Sequence, residues 1–465
     1  MTEGLIIDCF AGGGGASTGI EQALNRPVDI AVNHDPKAIA MHRANHPDTY
    51  HVTEDIFSAD LKGIVGGRSV SLMWASPDCT SHSRAKGGTP RKSGLRMLPW
   101  AVHKHASDLL PNVIIMENVP EIQKWGPIGD DGLPVKEREG ETYAAFVAAM
   151  KHLGYAFESR ELAACDYGAP TTRRRWYAIL RRDGKPAVWP SPSHGDGLFG
   201  DMYKTAAECI DWSDLGTSIF GRKRPLAEAT NRRIARGIVK YVLSDDPKPF
   251  IVPIGYGERT GQLPRVNSIE EPLGTIVAQG TKHYLCTAWL SKYYGGVVGQ
   301  SVDDPLHTIT ACGGAHFGLV ACHLSKFYGT SIGQHPCDPM AAITAGGNHI
   351  GLVAAFLTKY YGSGTGQRAD EPVGTVTTKD RFGLVTVKID GASYALSDIL
   401  LRMLKPKELL VAQGFPNQYV IDQYDDGKPV AATQQVKMIG NSVSPPVARA
   451  LVEANCVDAR MMEVA

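Results

Sequence analysis

Cys79 is the residue of this sequence with the surroundings of a nucleophile. It follows Ser76-Pro77-Asp78, directly after an apolar run, and the stretch from Cys79 to Ser107 contains six basic residues, three histidines and no acid. Positive surroundings favour the reactive thiolate and also attract a phosphate backbone. A lone cysteine is more often a small core residue, so the residues alone leave both roles open.

Three further side chains could act on a heterocyclic ring or an anionic substrate. Glu117 ends the apolar run Val113–Met116, so its carboxylate should project near Cys79 and could serve as a general acid. It could equally cap the following turn. Arg173 and Arg175 alternate just before another apolar run, which predicts that they share one face of a strand. There they would clamp an anionic substrate or form a solvated strand edge.

A glycine-rich turn, Asp8–Gly15, follows the first apolar run and leads into a predicted helix. Glycines at such a turn let the backbone approach a ligand, which indicates a nucleotide-like cofactor. Polar residues after the second run and further along the chain would suit an adenosine, although each could also be a surface turn. The candidate cofactor-binding residues from these segments are Phe10, Ala11, Gly12, Gly14, Asn33, His34, Asp55 and Ile56.

The elements that must position these groups are short apolar strands alternating with helices. The predicted strands are Leu5–Phe10, Asp29–Asn33, Ser71–Trp74, Val113–Met116 and Tyr177–Leu180. The predicted helices between them are Ile39–Asn45, Leu98–Leu110 and Tyr143–Leu153. This alternation predicts an α/β fold with a mostly parallel sheet covered on both faces. Near the other end, Pro406–Ala412 is predicted to be helical, and Gly440-Asn441-Ser442-Val443 is predicted to open a helix through Leu451.

Composition sets broad limits on function. The chain has 465 residues with 48 basic and 48 acidic side chains, so a DNA-binding surface would require local segregation of charge. The nine cysteines form no CxxC pair, which argues against a zinc site or a disulfide framework, and we expect no metal. The sequence has no run of 18 apolar residues and no leader, so we expect a soluble cytoplasmic protein without a membrane partner.

An internal repeat occupies about residues 253–386. Tyr-Gly, Gly-Gln and an acidic residue before proline recur in order, and the prolines are spaced by 33, 34 and 33 residues (Pro272, Pro305, Pro339 and Pro372). Such periods are typical of stacked supersecondary units, here of strand-turn-strand type. The array could be purely structural, or its lysines and paired aromatics could lie along DNA.

Taken in order, the motifs resemble those of the cytosine carbon-5 DNA methyltransferases. The resemblance covers about residues 1–185 and 400–455. The matching segments are Asp8–Gly15, Pro77-Asp78-Cys79, Glu117-Asn118-Val119, Arg173 with Arg175, Gln413-Gly414-Phe415-Pro416 and Gly440-Asn441-Ser442-Val443. The Pro-Asp-Cys motif and the repeated insertion are similar to those of phage and prophage methyltransferases. This similarity favours a stand-alone modification enzyme over the partner of a restriction enzyme.

The resemblance implies a class I, Rossmann-like methyltransferase that uses S-adenosyl-L-methionine. It assigns Cys79, Glu117, Arg173 and Arg175 to catalysis on a flipped cytosine of duplex DNA, and adds Pro77, Asn441 and Ser442 to the cofactor site. The loop after the nucleophile would contact DNA through Ser83, Arg84, Lys86, Arg91 and Lys92. The expected domains are a catalytic domain at 1–190, an inserted β-rich target recognition domain at 191–400 with four repeats of about 33 residues, and a returning segment at 401–465.

The sequence departs from the family pattern at four positions. Asp78 replaces proline, Thr80 and Thr171 each replace glutamine, and Asn33 replaces the usual glutamate. An RNA cytosine-5 methyltransferase and a catalytically silent DNA-binding homologue therefore remain as alternatives. We expect a monomer that acts at the nucleoid of a bacterial or phage-infected cell.

Overall fold

The computed structural model describes most of the chain outside the repeats. The described residues are 4–78, 96–130, 132–197, 200–220, 222, 224–242, 248–255, 261–278, 280–293 and 392–457, with short strand fragments between 324 and 389. Cys79, Thr80 and the expected DNA-contacting loop (Ser83, Arg84, Lys86, Arg91 and Lys92) lie outside the described residues, as does most of the repeat array.

A seven-stranded sheet forms the core of the first compact unit. Its strands, in chain order, are β1 (Leu5–Cys9), β2 (Ile30–Val32), β3 (Tyr50–Val52), β4 (Val70–Ala75), β5 (Val113–Asn118), β6 (Ala156–Ala163) and β7 (Arg174–Arg181). Their spatial order is β3-β2-β1-β4-β5-β7-β6. The first five are parallel, whereas β7 runs antiparallel to both β5 and β6. The predicted mostly parallel α/β sheet is confirmed.

Helices cover both faces of this sheet because neighbouring strand residues point to opposite sides. The helices are α1 (Gly15–Leu24), α2 (Pro36–Asn45), α3 (Leu61–Val65), α4 (Leu98–Leu109) and α5 (Glu141–His152). Ile7 and Met73 face one apolar layer, which α3, α4 and α5 complete. Ile6 and Trp74 face the other layer, which contains α1. Strands buried on both faces explain the near-continuous apolar runs of the sequence.

The C-terminal segment supplies three more helices to the same unit. These are Pro406–Ala412, Ala432–Asn441 and Pro445–Cys456, here α7, α8 and α9. The predicted helix at Pro406–Ala412 is confirmed. The prediction that Gly440 opens a helix is wrong, because α8 ends at Asn441 and α9 begins at Pro445. Proline at the first helical position favours a new start there, since it lacks the amide hydrogen that continuing the preceding helix would require.

The chain separates by packing into two units. Unit 1 contains Met1–Ile210, Glu270–Lys282 and Leu404–Ala465, and unit 2 contains Asp211–Ile269 and His283–Met403. Unit 2 contains helix α6 (Glu228–Gly237) and the antiparallel strands β8 (Phe250–Pro253), β9 (His283–Tyr293) and β10 (Ala392–Met403). Its apolar core includes Ile234, Phe250 and Leu401. Within the described parts of the chain, no helix is long and apolar enough to cross a membrane.

Candidate functional site

The glycine-rich turn lies at the point where the strand order of the sheet reverses, between β1 and β4. Phe10 and Gly14 have φ angles of 68° and 90°, so the turn uses the left-handed region in which glycine is favoured. A Cβ on Gly14 would collide with the Tyr419 hydroxyl and approach His46 Nε2 to 2.7 Å. Open parallel sheets bind ligands at the carboxyl edge of such a reversal, which is where Phe10, Ala11, Gly12 and Gly14 lie.

A buried polar network supports this turn from below. Tyr419 donates a 2.6 Å hydrogen bond to the Gly13 carbonyl and lies 3.1 Å from His46 Nε2. His46 Nδ1 in turn lies 2.8 Å from a Glu21 carboxylate oxygen. These residues come from four separate segments, so the shape of the turn depends on α1, α2 and the C-terminal segment together.

Asp8 occupies the centre of a second branch of the network. Ser17 donates a 2.7 Å hydrogen bond to Asp8 Oδ2, and the Ser17 Oγ lies 3.0 Å from His42 Nε2. Burial raises the pKa of Asp8 to about 7. Burial, together with His46 and His51, lowers the pKa of His42. Asp8 Oδ1 is buried without a hydrogen-bond partner among the described residues, so it could accept a hydrogen bond from an amino group above the turn.

The candidate adenosine-binding residues differ in how much hydrogen-bonding capacity they retain. Asn33 Oδ1 accepts from the Asp35 amide at 2.8 Å, so a bond from Asn33 to a ribose hydroxyl would be donated by its amide nitrogen. His34 and Asp55 are exposed, and Asp55 Oδ1 already accepts from the Phe57 amide at 2.9 Å. Ile56 is buried, and its carbonyl lies 2.6 Å from His105 Nε2. Together these residues fit a partly exposed adenosine better than an enclosed one.

Asn118 fixes the start of the segment that leads to the candidate nucleophile. Its side-chain nitrogen donates a 3.0 Å hydrogen bond to the carbonyl of Pro77, two residues before Cys79. Its oxygen accepts from the Val119 amide at 2.9 Å, and Asn118 is 1% exposed. Asn118, at the end of β5, therefore fixes the backbone that follows β4. The residue before Asn118 is Glu117.

Glu117 and two arginines form a buried charged cluster at the end of β5. Glu117 Oε1 lies 3.3 Å from Arg175 Nε and 3.6 Å from Arg173 Nη2. All three side chains are largely buried, and Glu117 Oε1 makes no hydrogen bond to any residue that the structure describes. A buried carboxylate that is charge-compensated but retains an open acceptor position suits a polar ligand that brings its own donor. The structure brings these three predicted residues together.

The C-terminal motif meets the glycine turn. Ser442 is buried, donates from Oγ to the Met438 carbonyl at 2.7 Å, and would lie 3.6 Å from a Cβ placed on Gly13. Asn441 is exposed at the end of α8. Gln413 is 0% exposed, and its side-chain nitrogen donates to the Ser442 backbone carbonyl at 2.9 Å. The backbone carbonyl of Gln413 accepts from Ser444 Oγ at 3.0 Å. The C-terminal segment therefore forms one wall beside the turn.

Sequence reasoning missed several residues that shape the site. It gave no role to Tyr419, His46, Ser17 or Asn118, and it quoted Gln413 only as part of a motif. These residues are far apart along the chain, and neither hydrophobic period nor spacing connects them. The local sequence pattern therefore gave no signal for the contacts that they make.

The cysteines that the structure describes do not resemble nucleophiles. Cys9, Cys165, Cys209, Cys286 and Cys456 are all buried and not disulfide-bonded. Burial raises the pKa of Cys165 to about 11 and that of Cys209 to about 12, which disfavours their thiolates. In the part of the chain that the structure describes, no group of three or more His, Cys, Asp or Glu side chains could hold a metal ion.

Comparison with known proteins identifies the family. A family model described as "C-5 cytosine-specific DNA methylase" matches residues 5–196 and 358–455, more than half of the chain. The Type II methyltransferase M.AquIA of Picosynechococcus sp. is 29% identical over 222 residues, which cover 44% of this chain and 87% of that protein. The Type II methyltransferase M.AgeI of Thalassovita gelatinovora is 30% identical over 197 residues, which cover 41% of this chain but only 42% of its own length.

A solved structure, the Dnmt2 methyltransferase of S. pombe, aligns with 97% of both chains at 12% identity and a TM-score of 0.45. The family match spans both the glycine turn and the C-terminal segment beside it. The chain therefore belongs to the C-5 cytosine-specific DNA methylases.

Proposed function

We propose that this chain transfers a methyl group from S-adenosyl-L-methionine to carbon 5 of a cytosine flipped out of duplex DNA, with Cys79 as nucleophile. The observation that carries the proposal is the buried Glu117 carboxylate, which is charge-compensated by Arg173 and Arg175 and whose Oε1 makes no hydrogen bond to the described residues. The next residue, Asn118, anchors Pro77 just before Cys79. A carboxyl group, two guanidinium groups and the backbone that leads to Cys79 thus lie together at the carboxyl end of β5.

The chemistry follows from the weakness of cytosine carbon 5 as a nucleophile. The Cys79 thiolate adds to carbon 6, and its electron pair forms the sulfur–carbon bond. The displaced ring electrons pass to nitrogen 3, to which Glu117, as the carboxylic acid, donates a hydrogen bond or its proton. The resulting enamine makes carbon 5 nucleophilic, and the bound sulfonium cofactor supplies the methyl group there. A water molecule then takes the carbon 5 proton, the thiolate is expelled by β-elimination, and nitrogen 3 gives its proton back to Glu117, which restores the ring. Arg173 would hold the flipped base through this sequence.

The cofactor would lie over the turn formed by Phe10, Ala11, Gly12 and Gly14. The unpartnered Oδ1 of Asp8 supports this placement, because it could accept a hydrogen bond from the amino group of the ligand. Asn33, His34, Asp55 and Ile56 would contact the adenosine, and Pro77, Asn441 and Ser442 would complete the pocket. No step requires a metal ion from the protein.

We further propose that unit 2 and its repeats form the target recognition domain. Reading base edges in the major groove needs an extended surface, which a repeat array supplies. Flipping the base costs a few kcal/mol, which contacts from the loop bearing Ser83, Arg84, Lys86, Arg91 and Lys92 would offset. On this proposal the enzyme acts as a monomer on bacterial or phage DNA in the cytoplasm.

The first test is sequencing of DNA from a methylation-free host that expresses the wild-type chain, Cys79→Ala, Glu117→Gln or Glu158→Gln. Glu158 lies on the edge strand β6, where its carboxylate accepts from Trp189, so it is a matched control for removal of one negative charge. We expect 5-methylcytosine in a short recurring context with wild type and Glu158→Gln, none with Cys79→Ala, and at least tenfold slower transfer with Glu117→Gln. Unmethylated DNA despite folded protein would favour the RNA substrate or the silent homologue instead.

A further inference from the structure

A short segment inside the recognition insertion packs with the catalytic unit. Residues 270–282 belong to unit 1, although the chain on both sides of them, Asp211–Ile269 and His283–Met403, belongs to unit 2. In sequence this segment is part of the first repeat, Glu271-Pro272-Leu273-Gly274-Thr275-Ile276. Residues 270–282 are therefore a part of the insertion that packs within unit 1.

One end of the segment is hydrogen-bonded to the residues just before Arg173. The Leu273 amide donates to the Pro170 carbonyl at 2.9 Å, and the Leu273 carbonyl accepts from the Thr172 amide at 2.8 Å. Leu273 is 2% exposed, and Thr171, between its two partners, is 0% exposed. The hydroxyl of Thr171 reaches the Gly274 carbonyl at 3.5 Å. The packing accounts for Thr171, where the family pattern has glutamine, because a longer side chain would displace this segment.

The other end of the segment packs against the second support of Arg173. Arg173 Nη1 donates a 3.1 Å hydrogen bond to the carbonyl of Gly440 in α8. A Cβ on Gly440 would collide with Val277 and with the backbone nitrogen of Ala278, and would lie 2.7 Å from Ala278 Cα. The segment 273–278 thus covers both the backbone leading into Arg173 and the helix that receives its guanidinium.

We infer that residues 273–278 are a positioning segment for Arg173, through which the recognition insertion sets the geometry of the Arg173–Glu117 pair. The inference rests on the proposed function, because Arg173 is taken to hold the flipped base. The segment packs within unit 1 and acts on Arg173 through Thr171, Thr172 and Gly440. A displacement of the segment changes where the guanidinium lies relative to Glu117, now at 3.6 Å.

The test compares Leu273→Ala with Leu451→Ala. Leu451 in α9 is also fully buried, so truncation of either leucine removes a buried side chain of the same size and should lower the melting temperature of both variants. Single-turnover transfer of a labelled methyl group from S-adenosylmethionine to plasmid DNA is measured well below both melting temperatures. The KM for plasmid DNA and the affinity for S-adenosylhomocysteine are measured alongside.

We expect Leu273→Ala to slow the single-turnover rate at least tenfold, with the KM for plasmid DNA and the S-adenosylhomocysteine affinity changed less than twofold, while Leu451→Ala keeps its rate. Ile276→Val, a milder change at a buried position of the same segment, should slow transfer two- to fivefold and so covers the case in which Leu273→Ala does not fold. Equal rates in the Leu273 and Leu451 variants, or a loss confined to the KM for DNA, would overturn the inference. Absence of methyl transfer by the wild type would instead overturn the proposed function.

Discussion

Replacing Asp8 by asparagine should make the stability of the protein less dependent on pH. Asp8 is 0% exposed, and burial raises its pKa from the ordinary value of 3.8 to about 7. Between these two values the unfolded chain has released the proton and the folded chain has kept it. The folded state therefore binds more protons, and the contribution of Asp8 to stability falls as pH rises toward 7.

The size of the effect follows from the shift. One pKa unit corresponds to about 1.4 kcal/mol, so a shift of about three units makes the folded state with ionised Asp8 about 4 kcal/mol less stable than an unperturbed carboxyl would. Part of this loss is already present at pH 5, which leaves about 2–3 kcal/mol to develop between pH 5 and pH 8. Asparagine imitates the neutral acid and can still accept the hydrogen bond from Ser17. It has no proton to lose.

The assay is urea unfolding of ligand-free wild type and Asp8→Asn at pH 5 and pH 8. We expect the free energy of unfolding of Asp8→Asn, relative to that of the wild type, to be about 2–3 kcal/mol higher at pH 8 than at pH 5. The matched control is Asp29→Asn, because Asp29 is a partly exposed carboxylate paired with Arg26. A stability difference between wild type and Asp8→Asn that is the same at both pH values would refute the reasoning, since it would mean that Asp8 does not change protonation in this range.

Three further substitutions test separate parts of the site. Asn118→Asp removes the donor to the Pro77 carbonyl and should slow methyl transfer about 10- to 100-fold. The affinity for S-adenosylhomocysteine, measured by calorimetry, should not change. A normal rate of methyl transfer would contradict the anchoring role of Asn118. Tyr419→Phe removes the donor to Gly13 and should weaken S-adenosylhomocysteine binding about five- to tenfold in the same assay, whereas unchanged affinity would show that the turn holds its shape without it. Gly19→Ala places a methyl 2.6 Å from Ala448 Cβ and should cost about 1–2 kcal/mol in urea unfolding, because overpacking exceeds the gain in helix propensity. A more stable variant would contradict the close approach of α1 and α9.

The sequence predicted the strands that carry the site because those strands are buried on both faces. Val113–Met116 was predicted and Val113–Asn118 is observed, and Leu98–Leu110 compares with the helix Leu98–Leu109. Strand β6, Ala156–Ala163, was not predicted. It lies at the sheet edge and buries only its last residue, so its sequence lacks the apolar run that marked the others.

The site was predictable where a motif follows a strand and not where contacts join distant segments. Glu117, Arg173 and Arg175 were chosen from their places beside strands, and the structure puts them within one cluster. The contact of Leu273 with Thr171 had no local signal, because it depends on how the insertion returns to the catalytic unit. The break between α8 and α9 did have a signal, the proline pair after Ser444, which outweighs the glycine-led motif as a helix start.

The packing of α9 against α1 has a consequence for how the protein is made. Ala448 and Leu451 of α9 cover Ala16 and Ile20 of α1 in one apolar layer, yet these partners are separated by the whole insertion. At ordinary elongation rates the ribosome needs on the order of tens of seconds to synthesise the intervening chain. During that time the nascent sheet and α1 expose the apolar surface that α9 covers in the folded protein. Nascent chains stalled within the repeats should therefore depend on chaperones and aggregate when released.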